Sequence, residues 1–277
     1  MLFDCFMYFD EEELLELRVE MLKDIVDGFI IADANLTFKG ESKDFTCVNT
    51  IRKLGLPEDK IQVLHCELPP ADSHPNPWVR EYAQRDALGV GMRMCPPDSV
   101  FFISDVDEIP KPSSLLESIK VAKENPEYFT RLSMAYLAGY ADLQVTNPKT
   151  GPLNWPCGVT LLYEHLKDSI TQIYSVDRIK VLGDCDAGWH FTWMGDAARR
   201  KHKITSFSHC YDSIPNAHAP SYSKEMLDFL DTYEASSGST DPLGRKDHIL
   251  QPYPHELLPK ELFKLDRVKT YLLPDNG

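Results

Sequence analysis

Asp105 and Asp107 stand two residues apart at the end of a compact apolar run, Val100-Phe-Phe-Ile103. In an extended chain residues i and i+2 point the same way, so both carboxylates face one side of the strand end. Two hard oxygen ligands at that spacing can hold one Mg²⁺ or Mn²⁺, directly or through water, and leave coordination sites open for substrate phosphates. Open α/β sheets bind ligands beyond the carboxyl ends of their strands, which is where the pair falls. Taken alone, three acidic residues after a strand also read as a solvated turn. An EF-hand is excluded, because Ile109 and Pro110 occupy positions where that loop needs an oxygen ligand and a glycine.

The elements that must position this pair are legible as βαβ units. Residues 2–8 read as a first strand. Asp10 and Glu13 have the spacing of a capping box, and Leu14, Leu17, Met21 and Ile25 recur at helical spacing, which predicts a helix to residue 24. Residues 28–32 and 61–64 read as the next two strands, Pro77 opens a helix over 78–88, and 100–103 suits a central buried strand. Ser114 and Glu117 repeat the capping spacing before a helix to residue 124, and 128–140 and 158–163 read as strands. The alternation predicts an α/β fold with a Rossmann-like, mostly parallel central sheet flanked by helices. No repeat, low-complexity tract or long linker divides the chain, so one domain over 1–277 is expected.

Charge narrows the partners. Lys+Arg 29 against Asp+Glu 43 gives a net charge of −14 over 277 residues, a surface that repels polyphosphate and anionic lipid. A nucleic-acid partner is not expected, and an anionic substrate would need local arginines, lysines or a bound cation. Seven cysteines, an odd number without a C-x-x-C pair, argue against a disulfide framework and a zinc knuckle. The N-terminal residues lack the basic and apolar regions of a signal peptide, and no run approaches the ~18 apolar residues of a membrane span. A cytoplasmic chain with no membrane span is the expectation.

The string Phe102-Ile-Ser-Asp105-Val-Asp107-Glu-Ile-Pro-Lys-Pro112 resembles the signature of glycosyltransferase family 17, the β-1,4-mannosyl-glycoprotein 4-β-N-acetylglucosaminyltransferases that add bisecting GlcNAc. Phe3-Asp-Cys-Phe-Met-Tyr-Phe9 with Asp33-Ala-Asn35-Leu-Thr37 is similar to the family's opening βαβ unit. Trp78-Val-Arg-Glu-Tyr-Ala-Gln-Arg85 is similar to the helix before the metal motif, and Gly188-Trp-His190-Phe-Thr-Trp193 resembles its Gly-Trp-His block. Four blocks in order cover most of the chain. The chain is expected to differ from the animal members in lacking their Golgi anchor and stem, and it carries Phe191 where they usually have Cys.

The resemblance implies a GT-A type fold, with residues 1–112 as a donor-nucleotide and metal half and 113–277 as an acceptor half. It implies UDP-GlcNAc as donor, a glycan acceptor such as a mannose-containing one, and Mn²⁺ or Mg²⁺ bridging the diphosphate on Asp105 and Asp107, with His190 as third ligand and His209 in reserve. Arg85 is assigned to the donor nucleotide or the metal loop, against an i,i+4 pair with Glu81. Arg80, on another face, is expected in solvent. Asp33 and Asn35 would meet uracil or ribose, or else form turns, and Glu108 would orient Arg85 or the metal loop. Inversion to a β-1,4 linkage needs a carboxylate base, for which Asp184, Asp186 and Asp212 are candidates. Tyr136, Tyr140, Trp155, Trp189 and Trp193 are candidate sugar platforms, of which one or two should face the cleft. A sugar- or nucleotide-binding protein without turnover, and a transferase using a different UDP-hexose, are the rival readings.

Overall fold

The computed structural model describes residues 1–167, 169–174, 178–183, 186–206, 208 and 224–274. The first half runs β1 (Leu2–Tyr8), α1 (Glu12–Leu22), β2 (Gly28–Ala34), α2 (Cys47–Leu54), β3 (Ile61–Cys66), α3 (Trp78–Arg93) and β4 (Val100–Asp105). After a short turn come β5 (Glu108–Pro110), α4 (Pro112–Glu124), β6 (Phe129–Ala138), β7 (Leu143–Asn147), β8 (Gly151–Pro152) and β9 (Asn154–Leu162). The chain closes with α5 (Ile170–Tyr174), β10 (Ile179–Leu182), β11 (Gly188–Thr192), α6 (Ala197–Ser206), α7 (Lys224–Thr232) and β12 (Ile249–Pro252).

These strands form one sheet in the order β12-β7-β6-β9-β4-β1-β2-β3, with β10 and β11 on β6, β5 on β11, and β8 on β7. The β3-β2-β1-β4 half is wholly parallel, the Rossmann-like arrangement expected of the βαβ units. Past β4 the sheet changes character: β9 is antiparallel to β4 and β6, and β7 to β6 and β12, so the sheet as a whole is mixed rather than mostly parallel. Residues 128–140 and 158–163 read as strands from sequence, but their relative direction is a tertiary property that strand periodicity does not encode.

Two-residue periodicity builds the cores on the two faces of the parallel half-sheet. Phe6, Tyr8, Phe29 and Ile31 pack on α1 and α2 through Leu14, Leu15, Leu17, Cys47 and Ile51. The alternating residues Cys5, Ile30, Ala32, Phe101 and Ile103 pack on α3 and α5 through Leu88, Met92, Ile170 and Ile173. Because both faces are covered, every residue of β2 is buried. Leu15, Leu17 and Leu22 are fully buried, each contributing about 1.5–3 kcal/mol.

Neither expected capping box forms. α1 starts at Glu12 after Glu11, whose carboxylate instead accepts the N–H groups of Phe9 and Asp10 at 3.2 Å each. α4 starts at Pro112, which suits the first helical position because its missing N–H is one the helix does not use, and this puts Ser114 inside the helix. Among the described residues no helix is long and apolar enough to cross a membrane.

Candidate active site

β4 ends at Asp105, and the turn Asp105-Val106-Asp107 delivers the chain into β5, placing the pair at the carboxyl edge of the parallel half-sheet. A cavity of about 130 Å³ opens there, lined by residues from the end of β1, from α3, from this turn and from α6, including Phe9, Glu81, Asp105, Asp107 and Lys203. The turn is held from beneath by Arg18 of α1, which is fully buried. Its Nε and Nη2 donate to Asp4 at 2.7 Å each, and its Nη1 donates to the carbonyls of Asp105 at 2.7 Å and Glu108 at 3.0 Å. Planar guanidinium geometry suits this double task, since one edge grips a carboxylate while the other satisfies turn carbonyls.

Asp105 and Asp107 part company. Asp105 remains half-exposed and accepts from Arg85 Nη2 at 3.0 Å, while Arg85 Nη1 reaches Glu81 at 2.9 Å. Arg85 thus makes the i,i+4 pair with Glu81 and also touches the Asp-x-Asp turn. Asp107 is buried, with Oδ2 2.8 Å from Lys203 Nζ and Oδ1 3.7 Å from His190 Nε2. Burial pushes the Asp107 carboxyl up, but Lys203 and His190 outweigh it and hold the group below the usual carboxylate range.

His190 arrives by sheet register. β5 and β11 pair antiparallel with His190 opposite Glu108 and Gly188 opposite Pro110. Gly188 is required by close approach, because a Cβ there would lie 2.4 Å from the Ile109 carbonyl oxygen. Trp189 faces the core, donating its indole N–H to the Leu257 carbonyl at 3.0 Å. The His190 ring stacks on Tyr136 at 5.3 Å and lies 5.4 Å from Trp155, and its buried Nδ1 has no hydrogen-bond partner among the described residues. Burial, opposed by Asp107, lowers the pKa of its imidazole.

Glu108 locks this wall to the turn. Its Oε2 accepts the Asp105 N–H at 3.1 Å and its Oε1 accepts the Trp155 indole N–H at 3.1 Å. Burial first, then the charges of Asp105 and Asp107, raise its pKa to about 8. Of the five aromatic candidates, Trp155 is exposed at 43 %, while Trp189, Trp193 and Tyr136 are buried and Tyr140 is half-buried beside another cluster.

The expected cation ligands do not assemble into one set. A 3.7 Å separation between Asp107 Oδ1 and His190 Nε2 is one that two ligands of a single cation can have. Asp105, however, turns to Arg85, the second Asp107 oxygen carries Lys203, and among the described residues no three His, Cys, Asp or Glu side chains are grouped to hold a metal. The trio Asp105, Asp107 and His190 does not fit a divalent cation in this arrangement.

Other expectations are redirected. Asp33 is fully buried, accepting from the Cys47 N–H at the start of α2 and from Lys43 at 2.9 Å each, so it anchors a helix rather than facing the cavity. Asn35 accepts the Leu68 N–H at 2.9 Å, a turn role. Arg80 is 1 % exposed, contrary to expectation, because its guanidinium donates to the carbonyls of Phe38 and His74. Asp186 is exposed and precedes Gly188, at the far end of the β5–β11 ladder from Asp107. Asp184, His209 and Asp212 lie outside the described residues.

Arg18, Glu11 and Lys203 were not singled out by sequence. Arg18 did carry a signal: it sits between Leu14 and Met21 at i−4 and i+3 on the apolar face of α1, where an arginine must find buried partners. Lys203 lies in the basic run Arg199-Arg-Lys-His-Lys203, which reads as a solvated face, and nothing local separates it from its neighbours.

The profile described as Glycosyltransferase family 17 matches residues 1–225. The chain belongs to glycosyltransferase family 17. Among curated relatives, the β-1,4-mannosyl-glycoprotein 4-β-N-acetylglucosaminyltransferase of Mus musculus is 31% identical over 112 residues, covering 38% of this chain, and that of Homo sapiens 30% identical over the same length. Each match spans only 21% of the relative's own length. Solved structures with a distant likeness include S. aureus TarS 1–349 in complex with UDP-GlcNAc, with a TM-score of 0.41, 12% identity, and coverage of 83% of this chain and 72% of that one. Another is 4-diphosphocytidyl-2C-methyl-D-erythritol synthase, with a TM-score of 0.39, 10% identity, and coverage of 66% and 89%. In family terms, the Asp-x-Asp string and the Gly-Trp-His block, separated by some eighty residues of sequence, are brought together by the β5–β11 ladder.

Proposed function

We propose that this family 17 protein is an inverting glycosyltransferase that moves N-acetylglucosamine from UDP-GlcNAc to a mannose-containing or other glycan acceptor in β-1,4 linkage. The observation that carries the reading is the cavity at the carboxyl edge of the parallel half-sheet, with Asp105 and Asp107 on its wall. That edge is where open α/β sheets receive nucleotides. The curated relatives, matched over part of their length, are N-acetylglucosaminyltransferases by name, which supports the same donor sugar.

In this reading Arg85 orients Asp105 at the donor side, and Arg18 fixes the turn so that neither carboxylate moves as charge develops on the leaving UDP. Trp155, exposed and held by Glu108, offers a flat face to a sugar ring. In-line displacement requires a carboxylate to take the acceptor hydroxyl's proton. Asp184, Asp186 and Asp212 are proposed for that role, and replacing each by Asn is the direct screen. A Mn²⁺ or Mg²⁺ ion on Asp107 would require Lys203 to leave Oδ2.

The test is UDP release from UDP-GlcNAc, with UDP-Glc and UDP-Gal in parallel, in Mn²⁺ or EDTA, against a panel of mannose-containing acceptors. Release from UDP-GlcNAc stimulated by one acceptor is expected. Stimulated release from another UDP-hexose alone replaces the donor, and no release or binding with any donor overturns the reading.

A further inference from the structure

Lys203 lies in the last turn of α6, and its ammonium leaves that helix to meet the Asp-x-Asp turn across the cavity. Nζ is 2.8 Å from Asp107 Oδ2 and 5.8 Å from the centroid of the Trp193 ring. Trp193 holds a left-handed backbone, φ 57°, and among the described residues no other non-glycine residue has positive φ. A bulky residue in that region costs backbone energy and persists only where its surroundings impose it. Here the strained residue sits next to the ammonium.

The other charged residues in the described lining of the cavity are acidic. Its described lining carries Glu11, Glu81, Asp105 and Asp107 against Lys203. A diphosphate entering four carboxylates needs a cation that can face it. Arg85 bridges Glu81 and Asp105, and Lys43 is drawn to Asp33 behind β2. Lys203 differs in keeping 30% of its side chain exposed while lining the cavity. An ammonium has three donors on a flexible stem, and Asp107 takes one of them.

Resting on the transferase reading, we propose that Lys203 is the diphosphate-binding residue of the donor site: its ammonium neutralises Asp107 in the absence of donor and turns to the phosphate oxygens when a nucleotide sugar enters. Two consequences follow from one group serving both partners. The diphosphate is held without a divalent cation, and Mn²⁺ competes with Lys203 for Asp107.

Calorimetric titration of UDP in EDTA, on the unsubstituted protein and on Lys203→Met and Lys203→Arg, tests the first consequence. Loss of one charge-assisted contact predicts UDP binding about tenfold to a hundredfold weaker in Lys203→Met, with most of it retained in Lys203→Arg. Mn²⁺ binding read by electron paramagnetic resonance without nucleotide tests the second: Lys203→Met should bind Mn²⁺ more tightly, because Asp107 is released. A merely structural lysine would weaken both. Should Lys203→Met fold poorly, Lys203→Met/Asp107→Asn removes the unpaired carboxylate and carries the UDP titration instead. Equal UDP affinity with and without Lys203, or UDP binding by the unsubstituted protein only when Mn²⁺ is present, overturns the inference alone. No UDP binding by the unsubstituted protein in either condition overturns the transferase reading, and the inference with it.

Discussion

Glu108 and Trp155 are joined by a 3.1 Å hydrogen bond from the indole N–H to Oε1, which ties a half-exposed aromatic face to the residue that follows the Asp-x-Asp pair. The other oxygen of the same carboxyl accepts the Asp105 N–H. One side chain thus sets both the pitch of the acidic turn and the orientation of the wall beside it.

That position gives Glu108 a pH signature. Both oxygens accept hydrogen bonds, which favours the carboxylate, but burial and the neighbouring Asp105 and Asp107 outweigh this and raise the pKa from 4.5 to about 8. Between those values the folded chain binds more protons than the unfolded chain, so this group's contribution makes stability fall as pH rises through that window and level off above it. Glu108→Gln removes the titration while keeping an acceptor. Its melting temperature relative to the unsubstituted protein should therefore improve from about pH 5 to about pH 8.5. A difference that is the same at both ends of that range would mean that Glu108 does not titrate in the window.

Arg18 and Asp4 are a buried pair whose cost falls mainly on the partner left behind. Arg18→Met strands the fully buried Asp4 carboxylate and three turn carbonyls, and should lower stability by about 3–5 kcal/mol in urea denaturation. Asp4→Asn/Arg18→Met should lose less than Arg18→Met alone, since no uncompensated charge remains. A double variant as unstable as the sum of the two single variants would show that the two residues act independently.

The same pair shows what sequence reveals and what it withholds. β1 is legible from end to end because it is a short, mostly apolar run, buried at five of its seven positions, and the Asp-x-Asp pair stands out because its spacing is local. The β5–β11 register is what makes Asp107 a neighbour of His190, and register across eighty residues leaves no local trace. Asp33 and Asp105 both lie at the carboxyl ends of buried strands. One caps α2 and the other faces the cavity, a difference set by what packs on each strand end. Arg80 was misplaced for a related reason: helical angle fixes a residue's face but not whether a loop, here Phe38 and His74, covers that face.

Arg85 should act on the donor through Asp105. Arg85→Ala frees the 46% exposed Asp105 carboxylate, a pair that contributes little to stability, but it also strands the largely buried Glu81 carboxylate, so the melting temperature should fall as well. Misplacing Asp105 should raise the donor KM about fivefold with a smaller change in kcat. Unchanged donor KM with a large fall in melting temperature would assign Arg85 to the fold alone.

Trp155 offers the complementary test on the acceptor side. It is held by Glu108 at one edge, lies 5.5 Å from Tyr136 and 5.4 Å from His190, and still exposes 43 % of its surface. Keeping that much indole in water forgoes burial that a core tryptophan would gain, and a stacked sugar ring would recover it. Trp155→Ala should raise acceptor KM about tenfold and leave donor KM unchanged, while Trp155→Phe keeps the face, loses the Glu108 bond and falls between. If Trp155→Ala instead raises donor KM and leaves the acceptor untouched, the aromatic wall belongs to the donor pocket, and the acceptor must enter from the side of α6.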